Sequence, residues 1–266
     1  MKLATAYAPI AACLARVDSE IRSRTDPRIA AFAGGKRLRP ALLLFSAHAF
    51  GGRVCPDATV LAAAVEMVHA ASLIHDDVID SSSRRRNGPA LHRLLGTKPA
   101  VILADYLFVQ GLAMLESIRA QELAHPLIRE VRTMCEGQWL EMNVDRGESC
   151  TKAAYQEILE KKTAALFAFC CRTGGILRDA PTNELSRLDS FGRSFGLCYQ
   201  LLDDCRDLAE QRPGAITRAV TEWGGTRYLR KSAREAAQSA RAALAELADA
   251  TERRGLTQTL SYVMEV

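Results

Sequence analysis

The stretch LAAAVEMVHAASLIHDDVID, residues 61–80, predicts a long helix that ends in three carboxylates. On a wheel of 100° per residue, Asp76 lies at about −20° and Asp80 at about +20° from His69, whereas Asp77 is displaced to about 80°. Leucine, isoleucine, valine and alanine fill most of the other faces. The helix is therefore expected to be buried and to aim His69, Asp76 and Asp80 in one direction.

Carboxylates in the last turn of a helix are unfavourable, because the helix dipole is negative there and like charges one turn apart repel. A bound cation would reverse both effects. Oxygen ligands without cysteine or several histidines favour a hard ion, and Mg²⁺ commonly takes one or two carboxylates together with substrate phosphates. The alternative is a solvated helix end whose charge is balanced by Arg84, Arg85 and Arg86. The first motif alone leaves both interpretations open.

The same spacing of aspartates returns in CYQLLDDCRDLAE, residues 198–210. Asp203, Asp204 and Asp207 again stand late in an apolar helix, and Gln200 lies on the same side of the wheel as Asp207. Two such helix ends facing each other would form a cavity of six carboxylates, which could not stay fully ionised without metal. The repeated motif therefore predicts a Mg²⁺-dependent diphosphate site.

A diphosphate site also needs cations. In GGKRLRP, residues 34–40, Lys36 and Arg39 stand three apart at a helix start, where free N–H groups and the dipole favour anions. Taken singly, a lysine on a helix is more often an ordinary surface residue, and a lone histidine such as His69 is often an ordinary core residue. The remaining candidates are Arg85 and Arg86 in the loop after the first motif, and Lys162 and Thr163 in EKKTAALFAFC.

Nearly every long segment has helical periodicity, and no alternating pattern typical of a strand is found. We therefore predict an all-α fold: one domain spanning residues 1–266, with about ten helices around a central cavity. Residues 81–99 are polar and should be largely loop, Pro40 fits only the first turn of its helix, and EQRPGAITR, residues 210–218, interrupts the pattern. The predicted helices are residues 3–22, 41–50, 57–80, 100–120, 125–145, 152–173, 184–209 and 226–250.

The composition is typical of a globular soluble protein, with 48% hydrophobic and 25% charged residues. A formal net charge of only +4 and an aromatic content of 6% argue against nucleic acid as a partner. The eight cysteines include no C-x-x-C pair, which favours reduced thiols in the cytoplasm. We expect neither a signal peptide nor a transmembrane segment.

Taken in order, these motifs resemble the trans-type isoprenyl diphosphate synthases, the polyprenyl synthetase family. The resemblance rests on GGKRLRP, HAASLIHDDVID with RRRNGPALH, KTAALF and YQLLDDCRD, and runs from about Gly34 to about Asp207. It implies an all-α fold around a deep cavity, usually as a homodimer. It also implies Mg²⁺-dependent head-to-tail condensation of an allylic diphosphate with isopentenyl diphosphate.

The resemblance implies a role for each candidate residue. The main Mg²⁺ ligands would be Asp76, Asp80 and Asp203, with Asp77, Asp204 and Asp207 as supporting ligands or residues behind them. The isopentenyl diphosphate site would comprise Lys36, Arg39, His69 and Arg86. Contacts to the allylic diphosphate would come from Arg85 and Lys162, and stabilisation of the developing allylic cation from Thr163 and Gln200.

Small residues before the first motif bear on product length. Ala71 and Ser72 leave the path down the cavity open, where short-chain members of the family often place an aromatic residue. HAASLIHDDVID followed by AVILADYLF is also similar to medium- and long-chain members. We therefore expect an all-trans product of twenty carbons or more.

Two features depart from the family pattern. Asn87 stands where a glycine usually follows Arg86. The region after Asp207 lacks a Gly-Lys pair whose lysine normally contacts the allylic diphosphate, so Arg212 and Arg218 are candidate substitutes and the cavity mouth should be more open.

Two rival functions remain at the level of sequence. A terpene cyclase also ionises an allylic diphosphate, but it has no need of an isopentenyl diphosphate site such as Lys36, Arg39 and Arg86 would form. A non-catalytic or regulatory subunit of a heteromeric prenyl synthase would fit the shortened region after Asp207, but the two intact aspartate motifs argue against it.

Overall fold

The computed structural model describes residues 3–25, 35–51, 56–85, 88–118, 121–210, 214–247 and 253–265. The prediction of an all-α fold is confirmed. The α-helices are α1 (Leu3–Tyr7), α2 (Ala11–Arg24), α3 (Leu38–His48), α4 (Pro56–Ile79), α5 (Leu91–Leu95), α6 (Thr97–Ala113), α7 (Ala124–Asp145), α8 (Lys152–Leu159), α9 (Ala165–Ile176), α10 (Thr182–Ala209), α11 (Ala215–Glu222), α12 (Gly225–Ala245) and α13 (Arg254–Glu265). Single-turn 3₁₀ segments occupy Ala8–Ile10, Met114–Ser117 and Gln121–Leu123, a π-helical segment occupies Glu160–Ala164, and strands β1 (Arg84–Arg85) and β2 (Gly88–Pro89) form an antiparallel hairpin.

Some local predictions are wrong. Residues 81–99 contain the β1–β2 hairpin and α5, and α6 already begins at Thr97. Strands of two residues are too short to show any alternation, so periodicity could not detect them. The predicted interruption at 210–218 ends earlier than expected, because α11 begins at Ala215. Helix α12 ends at Ala245 rather than near residue 250, and a further helix, α13, follows it. Short helices such as α11 depend on packing more than on their own propensity.

Helix α4 lies in the main core, and this explains its composition. Five consecutive residues from Leu61 to Val65 are fully buried, so the helix is covered on all sides. It packs against α2, α3 and α6, while the long helix α10 packs against α9 and α12. The two helices that carry the aspartate motifs are thus both held by neighbours along their length, which fixes where their C-terminal ends lie.

Two segments, α4 and Thr97–Glu116, are long and apolar enough to cross a membrane by length and composition alone. The apolar window of α4 is 72% buried within the protein, and that of Thr97–Glu116 is 33% buried. The core helix of a soluble protein passes the same test, so these two segments are weak evidence for a membrane span.

Candidate active site

The C-terminal ends of α4 and α10 border two adjoining cavities of about 550 and 820 Å³. Lys162, Thr163 and Gln200 line both cavities and form the wall that they share. Both aspartate motifs contribute to each space, with Asp76 and Asp203 in the first cavity and Asp80, Asp204 and Asp207 in the second.

At the end of α4, the three aspartates have different surroundings. Asp76 faces the first cavity, and burial raises its pKa to about 6, although the Lys162 ammonium favours the ionised form. Asp77 is buried and lines neither cavity; its Oδ1 accepts a hydrogen bond from Arg85 Nη2 at 2.6 Å. Asp80 follows the last residue of the helix and is exposed at the second cavity. Fewer than the six expected carboxylates therefore face the cavities, because Asp77 pairs with Arg85 instead.

The end of α10 shows a similar division of roles. Asp203 lines the first cavity and pairs with Arg206, whose Nη2 lies 2.7 Å from Asp203 Oδ1. Both oxygens of Asp204 accept hydrogen bonds, one from Gln200 Nε2 at 2.8 Å and one from the Tyr155 hydroxyl. Burial raises the pKa of Asp204 to about 6, although these two hydrogen bonds favour its ionised form. The chief role of Asp204 is therefore to hold the side chains of Gln200 and Tyr155 in place.

Lys162 stands between the two motifs on the π-helical segment. Its Nζ contacts Glu141 and lies 3.9 Å from Asp76 Oδ2. Burial would lower the pKa of Lys162, but the charges of Asp76 and Glu141 outweigh it and raise that pKa. Single-turn π-bulges occur frequently at functional sites, because the extra residue re-aims the side chains around it. The bulge here directs Lys162 and Thr163 to the wall that both cavities share.

Gly137 on α7 lets the π-helical segment approach closely. A Cβ at this position would lie 2.7 Å from Lys162 N and 3.1 Å from Lys161 C, and backbone atoms cannot move aside cheaply. We predict that Gly137→Ala displaces the segment, lowers the free energy of unfolding by about 1–3 kcal/mol and reduces turnover through Lys162. Urea unfolding and steady-state kinetics would check this. The control is Gly147→Ala in the loop after α7, where the new Cβ meets nothing within 4 Å. The positive φ of Gly147 strains the backbone of this variant, but the strain is confined to the loop. Wild-type kinetics in Gly137→Ala would contradict the prediction.

Two of the predicted isopentenyl diphosphate residues, Arg39 and His69, line the first cavity, whereas Lys36 is not among the residues that line either cavity. Arg39 is buried, and its Nη1 donates to His69 Nε2 at 2.9 Å. The guanidinium also lies 4.3 Å from the ring centroid of Phe167, while its Nε has no hydrogen-bond partner among the described residues. A buried cation with an unused donor at a cavity wall is suited to an anionic ligand. Lys36 is exposed just before α3, with Nζ 5.5 Å from the Tyr262 ring centroid.

Three predicted positions need separate mention. Arg86 and Arg212 lie outside the described residues. Arg218 is exposed on α11 and is not among the residues that line either cavity.

A hydrogen-bonded chain joins Thr163 to α8. Thr163 Oγ1 donates to Gln200 Oε1 at 3.0 Å, Gln200 Nε2 donates to Asp204, and Tyr155 donates to the other oxygen of Asp204. Tyr155 packs in turn on Trp223, with ring centroids 5.8 Å apart. The chain fixes the orientation of the Gln200 amide, so that its oxygen rather than its nitrogen is held beside Thr163 at the cavity wall.

The donor chemistry fits a divalent ion that is shared with a diphosphate. Among the described residues, no three carboxylate, histidine or cysteine side chains form a metal site by themselves. Mg²⁺ that binds a diphosphate needs only one or two protein carboxylates, because phosphate oxygens and water complete its shell. Asp76, Asp80 and Asp203 meet this need, and their charge at the cavities is incompletely balanced by Lys162 and Arg206.

Sequence reasoning missed three participants. Glu141 and Tyr155 contact Lys162 and Asp204 from other helices, and no local pattern marks either residue. The third, Arg206, lies inside the second aspartate motif and is visible in the sequence as the basic residue of DDCRD. Its position between two aspartates was the one available signal.

Comparison with known proteins gives a consistent result. The Polyprenyl synthetase family matches residues 26–219. The short chain isoprenyl diphosphate synthase of Methanothermobacter thermautotrophicus is 37% identical over 180 residues, which is 66% of this chain and 55% of that protein. The geranylgeranyl diphosphate synthase of Methanosarcina mazei is 36% identical over 181 residues, 66% of this chain and 56% of that protein. The chain thus spans about half the length of the curated relatives it matches.

Solved structures resemble the whole fold. A decaprenyl diphosphate synthase from Rhodobacter capsulatus superposes with a TM-score of 0.89 at 28% identity, covering 99% of each chain. A polyprenyl synthase from Caulobacter crescentus, complexed with calcium and isoprenyl diphosphate, has a TM-score of 0.88 at 25% identity and covers 100% of this chain and 98% of that one. Because the family matches well over half of the residues and the two aspartate motifs meet as its resemblance implied, the chain belongs to the polyprenyl synthetase family.

Proposed function

We propose that the protein is a Mg²⁺-dependent prenyltransferase that condenses an allylic diphosphate head to tail with isopentenyl diphosphate. The observation that carries the proposal is the meeting of two aspartate motifs at adjoining cavities whose shared wall bears Lys162, Thr163 and Gln200. The names of the relatives, which are isoprenyl and polyprenyl diphosphate synthases, support the same activity.

In this proposal the allylic diphosphate lies between the ends of α4 and α10. Asp76, Asp80 and Asp203 hold Mg²⁺, which when bound neutralises the diphosphate and stabilises the charge that develops on the leaving group. Lys162 and Arg85 contribute fixed positive charge beside it. Lys162 is suited to this because it is already held by two carboxylates and needs little reorganisation during the reaction.

The reaction requires no protein nucleophile. The allylic C–O bond breaks, the electron pair leaves with the diphosphate, and an allylic cation remains. The oxygens of Thr163 and Gln200 stabilise this cation by their partial negative charge, and their hydrogen bond keeps them in place. The double bond of isopentenyl diphosphate then forms the new C–C bond, and a proton is lost to the released diphosphate.

Isopentenyl diphosphate is placed by its own group of cations, Lys36, Arg39, His69 and Arg86. Among the described residues of this group, Arg39 has an unused Nε donor and donates a hydrogen bond to His69. Both features favour an anionic ligand at this place. The apolar residues of the first cavity, among them Phe108, exclude water that would quench the cation.

The product is proposed to have twenty carbons or more. Ser72 lines the first cavity, and its hydroxyl donates to the His69 carbonyl at 2.8 Å, so it leaves space beside α4 instead of filling it. Ala71 before it is fully buried and small. Relatives at 30–37% identity include short chain, geranylgeranyl and octaprenyl diphosphate synthases, so the family likeness by itself sets no length.

Turnover by the purified protein tests the function. The assay supplies Mg²⁺ with geranyl, farnesyl or geranylgeranyl diphosphate, each with and without isopentenyl diphosphate, and separates the products by chromatography. Elongated diphosphates that form only when isopentenyl diphosphate is present would support the proposal. Cyclic products formed without it would indicate a terpene cyclase, and no turnover unless a partner chain is added would indicate a non-catalytic subunit.

We also propose that the protein is a homodimer that assembles through α6. Ile102, Tyr106 and Val109 recur at helical spacing along one face of this helix and are 66%, 43% and 64% exposed. Side chains of this size that are exposed together mark an interaction surface more often than isolated ones do. A second copy of the chain is the occupant that the family resemblance implies.

A charge on this face should disrupt the dimer. We predict that Val109→Glu shifts the protein from dimer to monomer in sedimentation velocity at micromolar concentration, because burying an unpaired carboxylate opposes association. Ala242→Glu, on the exposed face of α12, is the matched control and should leave the dimer intact. A monomeric wild-type protein, or a Val109→Glu variant that remains dimeric, would refute this arrangement.

A further inference from the structure

Arg37 joins the start of α3 to both α2 and α4. Its Nη1 lies 2.7 Å from Glu66 Oε1 on α4, and its Nη2 lies 2.6 Å from Asp18 Oδ1 on α2. The backbone of Arg37 has a φ of 53° at the N-cap of α3, a left-handed conformation that is strained for a residue other than glycine. Such strain persists only where surrounding contacts fix the conformation, and it is frequent at functional sites.

The contact between Arg37 and Glu66 lies beside the contact between Arg39 and His69. Both contacts link the start of α3 to α4, and Glu66 and His69 are three positions apart, so their side chains are neighbours on one face of α4. Arg39 and His69 line the first cavity, whereas Arg37 and Glu66 line neither cavity. Any effect of Arg37 on a ligand in the first cavity must therefore pass through Arg39 and His69.

The charge of Glu66 reaches Arg39. Burial lowers the pKa of Arg39, and the negative charge of Glu66 opposes this shift. Because Glu66 is only 5% exposed, solvent screens its charge little. Without Arg37, this carboxylate would attract the Arg39 guanidinium, whose Nε has no hydrogen-bond partner among the described residues, and would compete with an anionic ligand. Arg37 neutralises Glu66 and so leaves Arg39 to the ligand.

Two interpretations of Arg37 differ in what they predict. As a purely structural ion pair between three helices, it would stabilise the fold, and its loss would affect all ligands alike or none. As a positioning residue, it would keep Arg39 available to an anion, and its loss would affect only the ligand that Arg39 binds. The contact next to Arg39 and His69, and the strained backbone two residues before Arg39, favour the second interpretation.

We propose that Arg37 is a positioning residue for isopentenyl diphosphate: it binds the buried Glu66 carboxylate and thereby keeps the Arg39 guanidinium directed to the substrate diphosphate in the first cavity. This rests on the proposed function. It assigns a role to the basic residue between Lys36 and Arg39, and it makes the affinity of one substrate depend on an ion pair outside the cavities.

Isothermal titration calorimetry tests the assignment with two ligands, isopentenyl diphosphate and a non-reactive thiolo analogue of farnesyl diphosphate, each in the presence of Mg²⁺. Arg37→Met is expected to weaken binding of isopentenyl diphosphate about 10-fold and to change affinity for the analogue less than about 2-fold. Adding Glu66→Gln removes the competing carboxylate. The double variant should therefore bind isopentenyl diphosphate within about 3-fold of the wild type.

Two further variants separate this role from loss of stability. In Arg187→Met the same substitution removes an arginine whose Nη1 lies 2.7 Å from Glu184 Oε1, a buried carboxylate, but neither residue lines a cavity. This matched control should bind both ligands as the wild type does. Glu66→Gln alone leaves Arg37 in contact with Asp18 and should bind isopentenyl diphosphate at least as tightly as the wild type. It tests the assignment even if Arg37→Met does not fold.

Several results would overturn the assignment. These are wild-type affinity of Arg37→Met for isopentenyl diphosphate, an equal loss of affinity for both ligands, a double variant as weak as Arg37→Met, and weaker binding of isopentenyl diphosphate by Glu66→Gln. A wild type that binds both ligands but forms no product would refute the condensation reaction. The expected differences among the variants would still support the positioning role of Arg37 in that case.

Discussion

Asp76→Asn is expected to lower kcat by about 100- to 1,000-fold while the helical fold persists. The substitution removes the negative charge at the end of α4 but keeps the shape of the side chain. Because burial already raises the pKa of Asp76 to about 6, its ionised form is costly without a cation, and the fold gains no stability from that charge. The loss should therefore be in metal binding and catalysis, as measured by Mg²⁺ titration and product formation.

The control for this variant lies on the same helix. Asp57→Asn, in the first turn of α4, changes charge equally but stands at the opposite end of the helix. It should retain wild-type turnover, with a small loss of stability from the helix dipole. If Asp76→Asn kept normal rates, Asp76 would not be a metal ligand.

Lys162→Met is expected to lower kcat by about 100-fold or more with little loss of Mg²⁺ affinity. The ammonium lies beside Asp76 and Glu141 and at the wall shared by both cavities, so it is placed to stabilise a leaving diphosphate. Methionine keeps the length of the side chain without its charge. Removing a positive neighbour of Asp76 should not weaken Mg²⁺ binding, so catalysis and metal affinity should separate in kinetics and calorimetry.

Lys161→Met provides a close comparison. Lys161 precedes Lys162 on the same π-helical segment, but it pairs with Glu157 at 2.9 Å and Glu136 at 3.4 Å and lines neither cavity. We expect this variant to behave as the wild type. Similar losses in both variants would mean that the segment's structure, and not the Lys162 charge, supports turnover.

Much of the site could be predicted from the sequence because its main parts lie on long helices. The spacing of the aspartates at the end of α4 was enough for the helical wheel to displace Asp77 from Asp76 and Asp80, and Asp77 indeed pairs with Arg85 and lines neither cavity. The repeated aspartate spacing then indicated that the two helix ends meet. The family assignment followed from the same residues and is confirmed by the comparisons.

The remaining features depend on contacts that no local pattern encodes. The π-helical turn that aims Lys162 can pack where it does only because Gly137, on another helix, has no side chain. Tyr155 reaches Asp204 across 49 positions in the sequence. The β1–β2 hairpin directs Arg85 back to Asp77, although two-residue strands leave no periodic signal. These are packing and long-range hydrogen-bond effects, which periodicity and propensity do not report.

Calorimetry of a non-reactive thiolo analogue of farnesyl diphosphate tests most directly whether both aspartate motifs act on one diphosphate. It would compare wild type, Asp76→Asn, Asp203→Asn and the double variant, each with and without Mg²⁺. Shared binding predicts that either single change removes most of the Mg²⁺-dependent affinity and that the double variant is little weaker than each single one. Additive losses, or Mg²⁺-dependent affinity that survives either single change, would contradict the account.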